Sequence, residues 1–212
     1  MLIRSPRFSP AYPRPGRALE RLRHEWRSFR LAWLAVCGCA AALALAAQQP
    51  AYAEPAVPMT EYEAKARILE QFTRFIEWPD AAVPGESPFA LCILGSDPFG
   101  PHLQRATAGR KVGSHPIVIR PLENPDDAGQ CQMIFVARGE RAALARVTAK
   151  TAGKPVLTVG DGAGFAEQGL LLNFYLSSES VHFEANPRAI QRSGLKVSAR
   201  LLKLARLVGP GA

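Results

Sequence analysis

Histidine and cysteine are scarce: the 212-residue chain holds four of each, with no C-x-x-C and no two histidines at ligand spacing. A zinc centre needs such spacing, so no metal site is expected. No G-x-S-x-G segment is present, which removes the strained serine turn of the α/β-hydrolases. No glycine run ends in Gly-Lys-Ser or Gly-Lys-Thr, and a phosphate-binding loop needs that lysine and hydroxyl to reach phosphate and magnesium. Asp126 and Asp127 sit together in "NPDDAG", where aspartate serves turn geometry rather than acid–base work. The expectation is a protein that is not an enzyme and carries no cofactor. Residues 54–212 show no internal repeat and no low-complexity segment.

What the chain has in excess is positive charge, formally +8. That would suggest a nucleic-acid partner if the charge lay in the folded part. It does not. Residues 1–53 hold eight arginines against Glu20 and Glu25, then the uncharged run "LAWLAVCGCAAALALAA" from Leu31 to Ala47 and "AYA" at Ala51–Ala53. Basic region, apolar run and small-residue cleavage site make a secretory signal peptide over residues 1–53, with 54–59 a short tail. The apolar run of 17 residues is at the lower limit for a membrane span, which leaves an uncleaved anchor as the alternative. Beyond residue 53 the balance is 18 basic against 16 acidic residues over 159 positions. That is a near-neutral domain long enough to bury a core, with export and no nucleic-acid partner expected. Cys92 and Cys131 are its two cysteines, each in an apolar, strand-like run ("FALCILG", "CQMIFVA"). In an oxidising compartment they are a candidate disulfide, two separate buried thiols being the alternative.

Thr60 and Glu63 form a capping-box pattern. Tyr62, Ala66, Leu69, Phe72 and Ile76 follow at three- and four-residue steps, the apolar face of a helix that ends just before Pro79. The runs "FALCILG", "HPIVIRPL", "CQMIFVA" and "KPVLTVG" read as strands, with helical "FGPHLQRATAG" and "RGERAALARVTAK" between them. Strands apolar on both faces, alternating with helices, argue for a single α/β domain over residues 60–208. Its sheet is mostly parallel or mixed, with helices on both faces. "LLLNFYLSSESVHFEA" breaks the alternation and reads as a C-terminal hairpin turning at Ser177–Ser180. From Pro187 to about Val208, the residues Ile190, Gly194, Val197, Leu201, Leu204 and Val208 step by four and three, the pattern of one long amphipathic helix.

The segment "VGDGAGFAEQG", Val159–Gly169, raises the question of a nucleotide. A G-x-G-x-x-G fingerprint would place its third glycine at position 165, which is Phe165, and it would come early in its domain rather than late. A strand-exit turn is the expected role. Candidate recognition residues lie elsewhere. Trp78 ends the first helix, and His182, Glu184 and Asn186 alternate with Val181, Phe183 and Ala185, so one face of that strand is polar. Arg188, Arg192, Lys196, Arg200, Lys203 and Arg206 form a basic stripe, read either as a solvated face or as a docking face for an acidic partner or anionic membrane surface. Trp78, Asn186 and Lys196 are candidates for a ligand or surface contact. The corresponding alternative function is a periplasmic sensor that binds a small molecule near Trp78 or the C-terminal strand edges.

Four stretches, "AKARILEQFTRFIEWP", "FALCILGSDPFG", "PVLTVGDGAGFAEQGLLLNF" and "VHFEANPRAIQRSGLKVSARLLKLARLV", resemble the YfiR-like family of periplasmic regulators over about residues 60–208. The resemblance implies an α/β domain, often dimeric and without catalysis. It implies binding to the periplasmic part of an inner-membrane diguanylate cyclase or another sensor protein, with lower cyclic-di-GMP and less biofilm as the result. An outer-membrane lipoprotein that sequesters the repressor is a further implied partner. By the same likeness Cys92 and Cys131 match a family cysteine pair, and Glu184 and Ile190 fall where the cyclase is contacted. A second cysteine pair of some relatives is missing, since no cysteine follows Cys131.

Overall fold

The computed structural model describes residues 59–209; the expected signal peptide (1–53) and tail residues 54–58 lie outside the described residues. Helix α1, Glu61–Phe75, starts as its capping pattern requires, with the Thr60 side chain accepting a hydrogen bond from the Glu63 backbone N–H at 3.2 Å. Arg67–Glu63 at 2.9 Å and Arg74–Glu70 at 2.8 Å are the i,i+4 ion pairs of its outer face. Ala66, Leu69 and Phe72 point into the core. The helix stops at Phe75, four residues earlier than Pro79. Ile76–Glu77 instead form a short strand, β1, antiparallel to Lys196–Val197. The Phe75 carbonyl accepts a hydrogen bond from the Ser198 N–H at 2.9 Å, so a distant segment satisfies the helix end.

The sheet begins with β2, Phe89–Leu94, followed by α2, Pro101–Thr107, β3, Lys111–Val112, and β4, His115–Leu122. Next come β5, Met133–Val136, α3, Leu144–Thr151, and β6, Leu157–Gly160. The hairpin is β7, Leu172–Ser177, and β8, Ser180–Ala185, and the chain ends with α4, Pro187–Ser193, β9, Lys196–Val197, α5, Ala199–Leu204, and β10, Arg206–Leu207. Eight strands lie in the order β10-β8-β7-β6-β5-β2-β4-β3. The middle, from β4 through β2, β5 and β6 to β7, is parallel, and the β7–β8 and β3–β4 pairs are antiparallel. Ser178 and Glu179, with φ of 48° and 62°, supply the two left-handed residues of a tight hairpin turn.

The strands alternate their side chains between two cores, as the two-residue period of a strand dictates. Phe89, Leu91, Ile93, Met133, Phe135, Leu157 and Val159 meet α1, α2, α4 and α5 on one face. Ala90, Cys92, Leu94, Ile134 and Val136 meet α3 and Phe165 on the other. Helices therefore cover both faces of a mixed sheet.

The long terminal helix expected from Pro187 to Val208 is not formed. Helix α4 ends at Ser193 because Gly194, at φ 74°, takes the left-handed cap that stops a helix. After β9, Ser198 caps a separate helix, its side chain accepting from Leu201 N–H at 3.3 Å. The four-and-three spacing spanned a stop and a fresh start.

Cys92 on β2 and Cys131 just before β5 form a disulfide, with Cα atoms 6.1 Å apart across a separation of 39 residues. Cross-linking a loop of this length contributes about 3–4 kcal/mol in the chain-entropy account. Replacing both cysteines by alanine should lower the urea midpoint accordingly, and reduced wild-type protein should unfold where the double variant does. A wild-type midpoint indifferent to reductant would show two unlinked thiols.

Candidate functional site

Open α/β sheets take ligands outside the carboxyl ends of their parallel strands. In this domain those ends carry Arg138, just past β5, and Asp161, just past β6, the two strands being paired at Val136 and Gly160. The crevice is occupied by α1. Asp161, 3 % exposed, accepts hydrogen bonds from the Tyr62 hydroxyl at 3.0 Å and the Lys65 ammonium at 2.5 Å. Lys65, fully buried, also donates to the Glu61 carboxylate and lies 4.7 Å above the Tyr62 ring. Arg138 closes the cluster, 3.3 Å from Glu61 and 3.6 Å from the Asp161 carboxylate, and donates to the Asp161 carbonyl at 3.1 Å. Two cations and two carboxylates thus neutralise one another. The arrangement pins α1 to the sheet, with Lys65 and Asp161 buried and Arg138 at its exposed rim.

The glycine segment after β6 serves this cluster and the second core. A Cβ on Gly160 would stand 2.7 Å from the Asn173 Oδ1 and 2.9 Å from Phe165 Cβ, and one on Gly162 would overlap the Phe165 ring. The glycines let the chain wrap tightly over Phe165, which is fully buried, while Asp161 turns toward Lys65. The loop is a strand-exit turn. Asp161 was passed over in the sequence, and so was Lys65. Its signal was legible nonetheless: Lys65 lies among Tyr62, Ala66 and Leu69 on the apolar face, where a lysine requires a buried carboxylate.

A second polar cluster lies on the hairpin. Glu184, 5 % exposed, pairs with Arg206 of β10 and accepts from Asn173 Nδ2 at 3.0 Å. The Arg206 guanidinium lies 4.1 Å from the Tyr175 ring centroid, and that ring stacks on exposed His182 at 5.5 Å. Asn173 Oδ1, turned against Gly160, is a buried side-chain oxygen with no partner among the described residues. The polar face expected for β8 is real, but β10 and the glycine segment cover Glu184 and Asn186.

The remaining candidates separate. Asn186 caps α4, accepting from Ala189 N–H at 3.0 Å, and donates to the Ala166 carbonyl at 2.8 Å. Ile190 is 8 % exposed, within the first core. Trp78 Nε1–H donates to the Gln132 carbonyl at 3.1 Å and its ring packs edge-on to Phe89 at 4.9 Å. Lys196 is 84 % exposed and 3.9 Å from Glu77. A groove of ≈ 590 Å³ between α2 and β4, lined by Ile93, Asp97, Gln104, Thr107, Ile117 and Ile119 among others, does not include Trp78 in its wall.

Lys65→Met should cost about 3–5 kcal/mol, because it strands the Asp161 charge. Lys65→Met with Asp161→Leu should recover most of that loss in chemical denaturation. Burial and then the Asp161 charge push the Tyr62 hydroxyl up to about 12. A raised folded value means that the stability from this phenol is complete below the unfolded value near 10 and is lost as pH rises toward 12. The stability gap between wild type and Tyr62→Phe should accordingly stay level to about pH 10 and shrink above it.

The family model DUF4154, described as YfiR/HmsC-like, matches residues 62–206. Among solved structures the chain is similar to a conserved domain protein from Vibrio cholerae O1 biovar El Tor, at 8% identity and a TM-score of 0.47, covering 71% of this chain and 60% of that one. It is also similar to an ABC domain in complex with L-Trp from Streptococcus pneumoniae, at 9% identity and a TM-score of 0.42, covering 66% and 60%. The chain thus spans 60% of the length of these two structures. The matched residues contain Lys65, Asp161, both cysteines and the hairpin, and over them the chain belongs to the YfiR/HmsC-like family.

Proposed function

We propose that this protein is a non-enzymatic periplasmic regulator that binds the periplasmic part of an inner-membrane diguanylate cyclase and represses it. Family membership over residues 62–206 carries this reading. The disposition of buried charge supports it, because Lys65, Asp161 and Glu184 are each engaged by other side chains of the domain. A domain that acts in this way changes its target only through preferential affinity for one of the target's conformations. Moving a cyclase from mostly active to mostly silent takes about 5.5 kcal/mol of such preference.

Glu184 and Ile190 would act at this contact from behind the surface. Glu184 holds Arg206, whose side chain is 56% exposed, against Tyr175. Ile190 seats α4 on the core, which turns Arg188 and Arg192 outward. In this reading the partner touches Arg206, Tyr175 and His182, and the two buried residues keep that face in shape.

Loss of the gene should raise cyclic-di-GMP, and Arg206→Glu or Glu184→Ala should raise it toward the same level with normal amounts of protein in the envelope. Crosslinking in intact envelopes should capture the cyclase with wild type and lose it with Arg206→Glu. Cyclic-di-GMP that does not respond to loss of the gene would remove the cyclase as the target.

A further inference from the structure

Charge is segregated along this domain. Residues 59–186 hold 12 basic and 15 acidic residues, whereas residues 187–209 hold six basic residues and no acid. Two of the six have carboxylate neighbours: Lys196 is 3.9 Å from Glu77, and Arg206 pairs with Glu184. Among the described residues, Arg188, Arg192, Arg200 and Lys203 have no carboxylate within ion-pair distance, and all four are exposed. On α5, Leu201 enters the core while Arg200, Lys203 and Leu204 occupy the outer face at i, i+3 and i+4. Leu204 is 72% exposed, the most exposed large apolar side chain among the described residues, and Leu207 on β10 is 46% exposed.

We infer that the outer face of α5 with β10 docks on an anionic bilayer surface, Arg200 and Lys203 meeting lipid phosphates while Leu204 and Leu207 enter the interface. Leucines interleaved with lysine and arginine on one face are the composition of segments that lie in a membrane interface. A second copy of the chain is a poor occupant. A two-fold contact centred on this face would set Arg200 and Lys203 near their own counterparts, with no acid in the segment to offset them. A folded acidic protein is a poorer fit as well. Protein contacts draw their apolar anchors mainly from aromatic residues, with leucine under-represented, whereas residues 187–209 contain no Phe, Tyr or Trp and expose Leu204 and Leu207. A bilayer asks for neither pocket nor aromatic anchor, and each basic residue near it adds roughly fivefold to partitioning. The surface does not depend on which membrane protein the domain regulates.

The test uses protein made from the full-length gene and recovered from the cell envelope, its N-terminus read by mass spectrometry. It is mixed with phosphatidylcholine vesicles with and without about one third phosphatidylglycerol, at low and near-physiological salt. Expected are binding to the anionic vesicles over the neutral ones, weakening with salt, and at least a roughly tenfold loss in Arg200→Gln/Lys203→Gln. Leu204→Ser should weaken binding without changing charge. Arg105→Gln/Lys154→Gln, which removes two exposed cations from the rest of the domain, should change it less than about threefold. Equal affinity for both vesicle types, no binding to either, or equal losses in the two paired variants would overturn the inference. So would envelope crosslinking that joins Arg200 or Lys203 to an acidic protein while the vesicles stay empty.

Discussion

The buried Lys65–Asp161 ion pair is the contact around which the rest of the domain is arranged. A fully buried ammonium is costly without a carboxylate partner, and the position of that carboxylate constrains much of the domain. It requires β6 to end where it does and the chain beyond to turn sharply over Phe165. That turn in turn requires glycine at positions 160 and 162, where Asn173 and Phe165 leave no space for a Cβ. It also fixes the depth at which α1 sits on the sheet, with Tyr62 and Arg138 completing the cluster.

A sheet of this kind would receive a small molecule outside the carboxyl ends of its parallel strands. The carboxyl ends of β5 and β6 are filled from within, so the polar groups that converge there stabilise the fold. The contacts proposed above lie at the perimeter instead: the Arg206–Tyr175–His182 stack on the hairpin and the basic turns that follow it. These two regions adjoin, because β10 carries Arg206 and continues directly from α5. A protein contact at the hairpin and a lipid contact at α5 could therefore be made by one end of the molecule.

Much of this was legible because its causes are local. The Thr60 cap, the i,i+4 pairs of α1, the parallel strands and the hairpin turn each follow from residues a few positions apart, and the structure has them all. Most of the failures are non-local. Ile76 and Glu77 continue a helical pattern, yet a strand roughly 120 residues further on pulls them into extended form. Gly194 fits the apolar step of a long helix, and its other property, tolerance of positive φ, proved decisive. Glu184 and Asn186 do form a polar face, but a single strand cannot reveal that β10 and the glycine segment cover it. Lys65 stood out of place on an apolar face, and what answered it lay 96 positions away.

The β1–β9 pair makes two distant segments of the domain depend on each other. The first helix is tied off by a segment roughly 120 residues further along the chain, and β10, at one edge of the large sheet, follows that segment. Without residues 196–198 and β10 in place, the back end of α1 has an unclaimed carbonyl at Phe75 and β8 has an open edge. Segments far apart in the chain therefore close one another's open ends, and neither is finished without the other.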